Sequence, residues 1–121
     1  MARDRTKSEV AGRAAELIAL WYLRLKGYRL LARRFKSPQG EIDLVMRRGD
    51  VTAFIEVKAR KTADDAVLSV TEYQARRISA AARYWMGRDA RSMRGPCRFD
   101  IVAVSPYQWP RHIETAFPGA E

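Results

Sequence analysis

Two stretches of strict alternation flank the dipeptide Gly49-Asp50, and they constrain this chain more than any other feature. In residues 41–47, Ile42, Leu44 and Met46 fall on one side and Glu41, Asp43 and Val45 on the other. In residues 51–58, Val51, Ala53, Ile55 and Val57 share one face, while Thr52, Phe54, Glu56 and Lys58 share the opposite one. A period of two is the signature of a strand. Gly-Asp as a two-residue loop suits a type I′ or II′ turn, which makes Arg48 and Val51 direct partners. In that register Ile42 meets Val57, Leu44 meets Ile55 and Met46 meets Ala53, all apolar. Slipping by one residue would turn every side chain to the wrong face.

The same register sets Asp43 opposite Glu56 and Glu41 opposite Lys58. Directly opposed carboxylates repel, because their Cβ atoms stand about 5 Å apart. A divalent cation held by both is the simplest compensation, and Mg²⁺ or Mn²⁺ takes oxygen ligands. Lys58 follows Glu56 by two residues on the same face. Two carboxylates, a lysine and a metal are the parts that activate water against a phosphodiester. The plain alternative is a surface salt-bridge ladder along an edge hairpin.

The rest of the chain supplies a setting. Thr6-Lys7-Ser8-Glu9 fits a capping box, and Val10, Ala14, Leu17, Ile18, Trp21 and Leu25 form an apolar stripe. These predict a helix over about 7–26, stopped at Gly27. A strand is expected over 28–35 and a loop from Arg60 to about Ser69. A second capping box at Ser69–Glu72 would open a helix ending at Gly87, with Ala75, Ile78, Ala82 and Trp85 inward. Residues 88–96 read as a basic loop, 97–104 as a strand, and 112–117 as one more. The expected order is αβββαββ in a single domain over 1–121, with residues 1–6 disordered.

Composition narrows the chemistry. One cysteine and one histidine exclude a disulfide and a zinc cluster, so any catalytic metal sits on carboxylates. The net charge is +9, and 18 of the 23 basic residues are arginine, whose planar fork suits phosphate. A polyanion is the expected partner. Gln74, Arg76 and Arg77 begin the second helix, where free amides and the dipole favour phosphate, and Arg60 and Lys61 follow Lys58. All five are candidate nucleic-acid contacts. No apolar run reaches membrane-spanning length and no hydrophobic signal core opens the chain, so a cytoplasmic protein without a membrane partner is expected.

Glu16 on the first helix, Gly40-Glu41-Ile42-Asp43, Phe54-Ile55-Glu56-Val57-Lys58 and Arg98-Phe99-Asp100 resemble the bacterial YraN-like family of uncharacterised proteins. That family is similar to PD-(D/E)xK nucleases, close to archaeal Holliday-junction resolvases. The resemblance implies a restriction-endonuclease-like α/β fold, a mixed central sheet flanked by helices. It implies that Asp43, Glu56 and Glu16 hold Mg²⁺ or Mn²⁺ and that Lys58 is the catalytic lysine. It also implies cleavage of DNA, branched DNA included. Resolvase-like action would require a homodimer, and no segment of the sequence declares an interface. The chain departs from the family pattern at Arg34, Tyr73 and residues 61–69. Two other functions fit the charge: a catalytically silent nucleic-acid-binding module of this fold, and an interaction protein associated with RNA or the ribosome.

Overall fold

A computed structural model describes residues 2–90 and 94–118, with side chains described from Ala11 onward. The elements in order are α1 (Ala2–Leu25), β1 (Arg29–Ser37), β2 (Gly40–Arg48), β3 (Val51–Ala59), α2 (Ala63–Leu68), α3 (Glu72–Met86), β4 (Cys97–Val104) and β5 (Arg111–Ile113). The expected disorder of residues 1–6 concerns side chains outside the described set, as does Arg91 of the basic loop.

The five strands form one sheet in the order β1-β2-β3-β4-β5. β3 and β4 are parallel and the other pairs are antiparallel, so the sheet is mixed. Helix α1 covers one face, where Ala19, Leu20 and Leu23 pack on Leu44, Met46, Ala53 and Ile55. Helix α3 covers the other, with Ile78, Ala81 and Ala82 on Val45 and Phe54. This α/β arrangement is compatible with a restriction-endonuclease-like fold. Among the described residues no helix is long and apolar enough to cross a membrane.

The hairpin register holds from Arg48↔Val51 to Leu44↔Ile55. Gly49 takes φ 62 and Asp50 is not among the positive-φ residues, which fits type II′ and not I′. Helix α1 ends as expected at Gly27 (φ 94). The Tyr28 N–H donates to Leu23 O and the Gly27 N–H to Arg24 O, both at 3.0 Å, so a Schellman motif satisfies the last carbonyls.

Four expectations about the helices need correction. Helix α1 begins at Ala2, so the Thr6–Glu9 pattern lies within it. Its anticipated core stripe is on the surface: Leu17, Ile18, Trp21 and Leu25 are exposed, while Ala15, Ala19, Leu20 and Leu23 are buried. The expected 60–69 loop contains α2, whose N-cap Thr62 accepts from the Asp65 N–H at 3.0 Å and whose first turn carries Asp64 and Asp65. It buries Ala66 beside Ile101 and Ala103. The box that opens α3 is Thr71 with Gln74, two residues later than Ser69–Glu72.

The fifth strand is shorter than 112–117. Thr115 turns to φ 50, and its N–H donates to Asp100 Oδ1 at 3.0 Å. Asp100 is fully buried and also receives Arg98, and its Oδ2 lies 2.7 Å from His112 Nε2. Lys26 Nζ lies 2.7 Å from His112 Nδ1, and an ammonium can only donate. The imidazole proton therefore sits on Nε2 and points at Asp100. Arg98 extends the network to the Tyr28 hydroxyl and to Glu114.

Candidate active site

The β2–β3 ladder stops one pair short of Asp43 and Glu56, and that gap builds the site. Asp43 Oδ2 accepts the Val57 N–H at 2.9 Å, so a side chain takes the place of a backbone rung. Strand β1 is irregular at the same level. Arg34 has φ 49, and the ladder passes from Arg33↔Leu44 to Phe35↔Ile42. Both strands change face there. Ile42 packs with Val45 and Phe54 on the α3 side, not with Leu44 and Met46 as simple alternation required.

Glu41, Asp43, Glu56, Lys58, Gln74 and Arg77 line one cleft of about 310 Å³ on the α3 face. Helix α3 is held close to β2 at Gly40, which is buried. A Cβ on that residue would collide with the carbonyl oxygen of Arg77. The contact sets the helix bearing Gln74 and Arg77 against the strand bearing Asp43.

Burial pushes the Glu56 carboxyl up to about 9, and the hydrogen bond and negative charge of Asp43 add to the rise. Lys58 opposes this without cancelling it, and Glu41 reinforces it. The pair therefore retains a proton at neutral pH, as two close acids in a low-dielectric site do. The sign for stability follows directly. Between the ordinary value of 4.5 and about 9, folded Glu56 keeps a proton that the unfolded chain has released. Its contribution is fully present below pH 4.5 and is lost as pH rises toward 9. In chelator, the melting temperature is expected to fall by on the order of 5 °C between pH 5 and pH 8 relative to Glu56→Gln. Parallel melting curves for the two proteins across that range would remove the strained carboxyl pair.

Asp43, Glu56 and Lys58 come together in the cleft with Gln74 and Arg77, and Glu41 joins them. Glu41 was legible as the residue two before Asp43 on the same strand. Gln74 has a second task, since its Oε1 accepts the Thr71 N–H at 3.2 Å in the helix cap. Arg76 is exposed, 3.4 Å from Glu72, and does not line the cleft. Arg60 and Lys61 line a different groove. Glu16 is also outside the cleft lining, and its Oε1 accepts from Arg34 Nε at 3.0 Å. Among the described residues no three His, Cys, Asp or Glu side chains gather as a metal-binding group. The donor set is a pair of carboxylates, which suits Mg²⁺, an ion that keeps several waters and takes one or two protein carboxylates with substrate phosphates.

Comparison with known proteins places the chain in a family. The model of the uncharacterised protein family UPF0102 matches residues 15–104, from the middle of α1 to the end of β4. A UPF0102 protein of Methylobacterium nodulans is 51% identical over 116 residues, which cover 96% of this chain and 90% of that one. One from Chelativorans sp. is 48% identical over 114 residues, covering 94% and 92%. With most of its length and all four cleft strand positions inside the match, the chain belongs to the uncharacterised protein family UPF0102, the YraN-like family.

Proposed function

We propose that this protein binds DNA and hydrolyses its phosphodiester bonds with Mg²⁺ or Mn²⁺. The observation that carries the reading is the shared, partly buried position of Asp43 and Glu56 beside Lys58, in a chain whose net charge is +9. A surface made only to hold phosphate gains nothing from two adjoining acids, which repel the backbone they face. A salt-bridge ladder would leave Glu56 solvated and ionised, whereas its proton is held up to about 9.

Asp43 and Glu56 are the residues to hold the cation. Asp43 is already oriented by the Val57 N–H. When bound, the ion supplies positive charge that acidifies water and offsets charge developing on the phosphate. Lys58 orients the attacking water or meets that developing charge. Arg77, which lines the cleft from α3, takes a neighbouring phosphate oxygen through its planar fork. A cation held by Asp43 and Glu56 would compete with the Glu56 proton, so metal affinity is expected to rise with pH through the range below 9.

The test is cleavage of duplex, single-stranded, flap and four-way DNA with and without millimolar Mg²⁺ or Mn²⁺. Asp43→Asn serves as the control for contaminating nuclease, because the amide oxygen can still accept the Val57 N–H. Metal-dependent products are expected from wild type and none from Asp43→Asn. Equal products from both preparations, or none from wild type with metal bound, would sink the reading. Binding should also weaken steeply with salt, with a log–log slope near −0.9 per phosphate neutralised.

A further inference from the structure

Helix α1 is apolar on two faces, and packing on the sheet accounts for only one of them. Part of its outer face and the segment between β4 and β5 enclose a groove of about 1060 Å³. Ala11, Ala14 and Ile18 line it from the helix, and Tyr107 and Trp109 line it from the β4–β5 segment. Arg60 and Lys61, two and three residues beyond Lys58, also line it. The groove lies at the same end of β3 as the acid cleft, on the opposite face of the sheet.

The aromatic residues stand out. Tyr107 is 107% exposed and Trp109 is 77% exposed, so folding gains little burial from either. Tyr107 also has φ 59, a left-handed conformation that disfavours a bulky side chain. Glycine or asparagine would make the same turn with less strain. Small alanines on the facing helix leave room for a flat ring.

We infer that this groove takes an unpaired DNA strand, with bases stacked on Tyr107 and Trp109 and phosphates against Arg60 and Lys61. Every base offers a π face, so stacking of this kind is tolerant of sequence. Charge favours this occupant over a second copy of the chain, which would bring another +9 against Arg60 and Lys61. The inference rests on the DNA reading above and adds the class of substrate: a strand that is single in part, continuous with the segment in the acid cleft.

Affinity for an oligothymidylate and for a duplex of equal length, measured in chelator, tests it. The double variant Tyr107→Ala/Trp109→Ala is expected to lose tenfold or more for the single strand and to stay within about threefold for the duplex. Tyr107→Phe/Trp109→Phe should stay within about threefold on both, since a phenyl ring still stacks. An unchanged single-strand affinity, or equal losses on both DNAs, overturns the inference. So does a wild-type dimer that dissociates on Trp109→Ala while DNA affinity holds, which would assign the face to a second copy. If wild type cleaves nothing yet single-strand binding needs the aromatic pair, the nuclease reading falls and the stacking groove stands. If cleavage is sound and the pair has no effect on single-strand affinity, the groove alone falls.

Discussion

Replacing Lys58 with methionine is expected to slow DNA cleavage by roughly 10²–10⁴-fold while leaving DNA affinity within about threefold. The side chain keeps its length and its place on β3 but loses the ammonium. Its charge matters most where charge develops, in the transition state, so the rate bears the loss. Ground-state binding draws on many basic residues, and one phosphate contact is a small share of it. A merely structural role for Lys58 predicts another outcome: a slightly lower melting temperature and activity that falls only with the folded fraction. Rate, affinity and melting measured on one preparation separate the two. A Lys58→Met protein that cleaves at the wild-type rate would end the catalytic assignment.

The largest effect on stability is expected at Asp100. Its carboxylate is fully buried and accepts from Arg98, His112 and the Thr115 N–H. Burial alone would raise its pKa, but the His112, Arg98 and Thr115 hydrogen bonds outweigh that and hold it below the usual value. Asp100→Ala takes the carboxylate from a half-buried guanidinium, which keeps Glu114 and the Tyr28 hydroxyl, and leaves the His112 and Thr115 N–H groups without their acceptor. Breaking one side of such an arrangement costs about 3–5 kcal/mol, a large part of the 5–15 kcal/mol that holds a domain together. The melting temperature should drop by about 10–20 °C. The carboxylate contributes fully above pH 3.8, and that contribution is lost as pH falls through its lowered folded value. Acid unfolding of wild type should therefore show a stability loss below pH 4 that Asp100→Asn lacks. An Asp100→Ala protein melting within a few degrees of wild type would show that the network contributes little.

The centre of the molecule was readable from residues because two independent signals coincided there. Period-two alternation and a two-residue turn both demanded the same hairpin register, and the observed pairs keep it. The placement of Asp43 near Glu56 followed from it. The change of face at Ile42 did not, because it depends on Arg34 in the neighbouring strand and on a side chain replacing a backbone rung. Helix α1 misled for a different reason. Large residues at Leu17, Ile18, Trp21 and Leu25 outweigh Ala15 and Ala19 in any count of hydrophobicity, yet small residues let the helix lie close to the sheet. Helix α2 was missed because six residues are too few to show a period, although Thr62 and the acids after it were there to be read. Nothing local in the sequence marks His112, because its partners, Lys26 and Asp100, are 86 and 12 residues away.

On the proposed reading, Asp43 has two employers. One oxygen closes the sheet by taking the Val57 N–H, so an acid or amide at this position is retained by the needs of folding alone. Lys58 has no such claim on the architecture. A descendant of this chain released from any demand to cut DNA would then drift at Lys58 and Glu56 first and keep Asp43 or an asparagine long afterwards. Among such descendants, an aspartate at 43 would mark ancestry, and the lysine at 58 would mark an enzyme still at work.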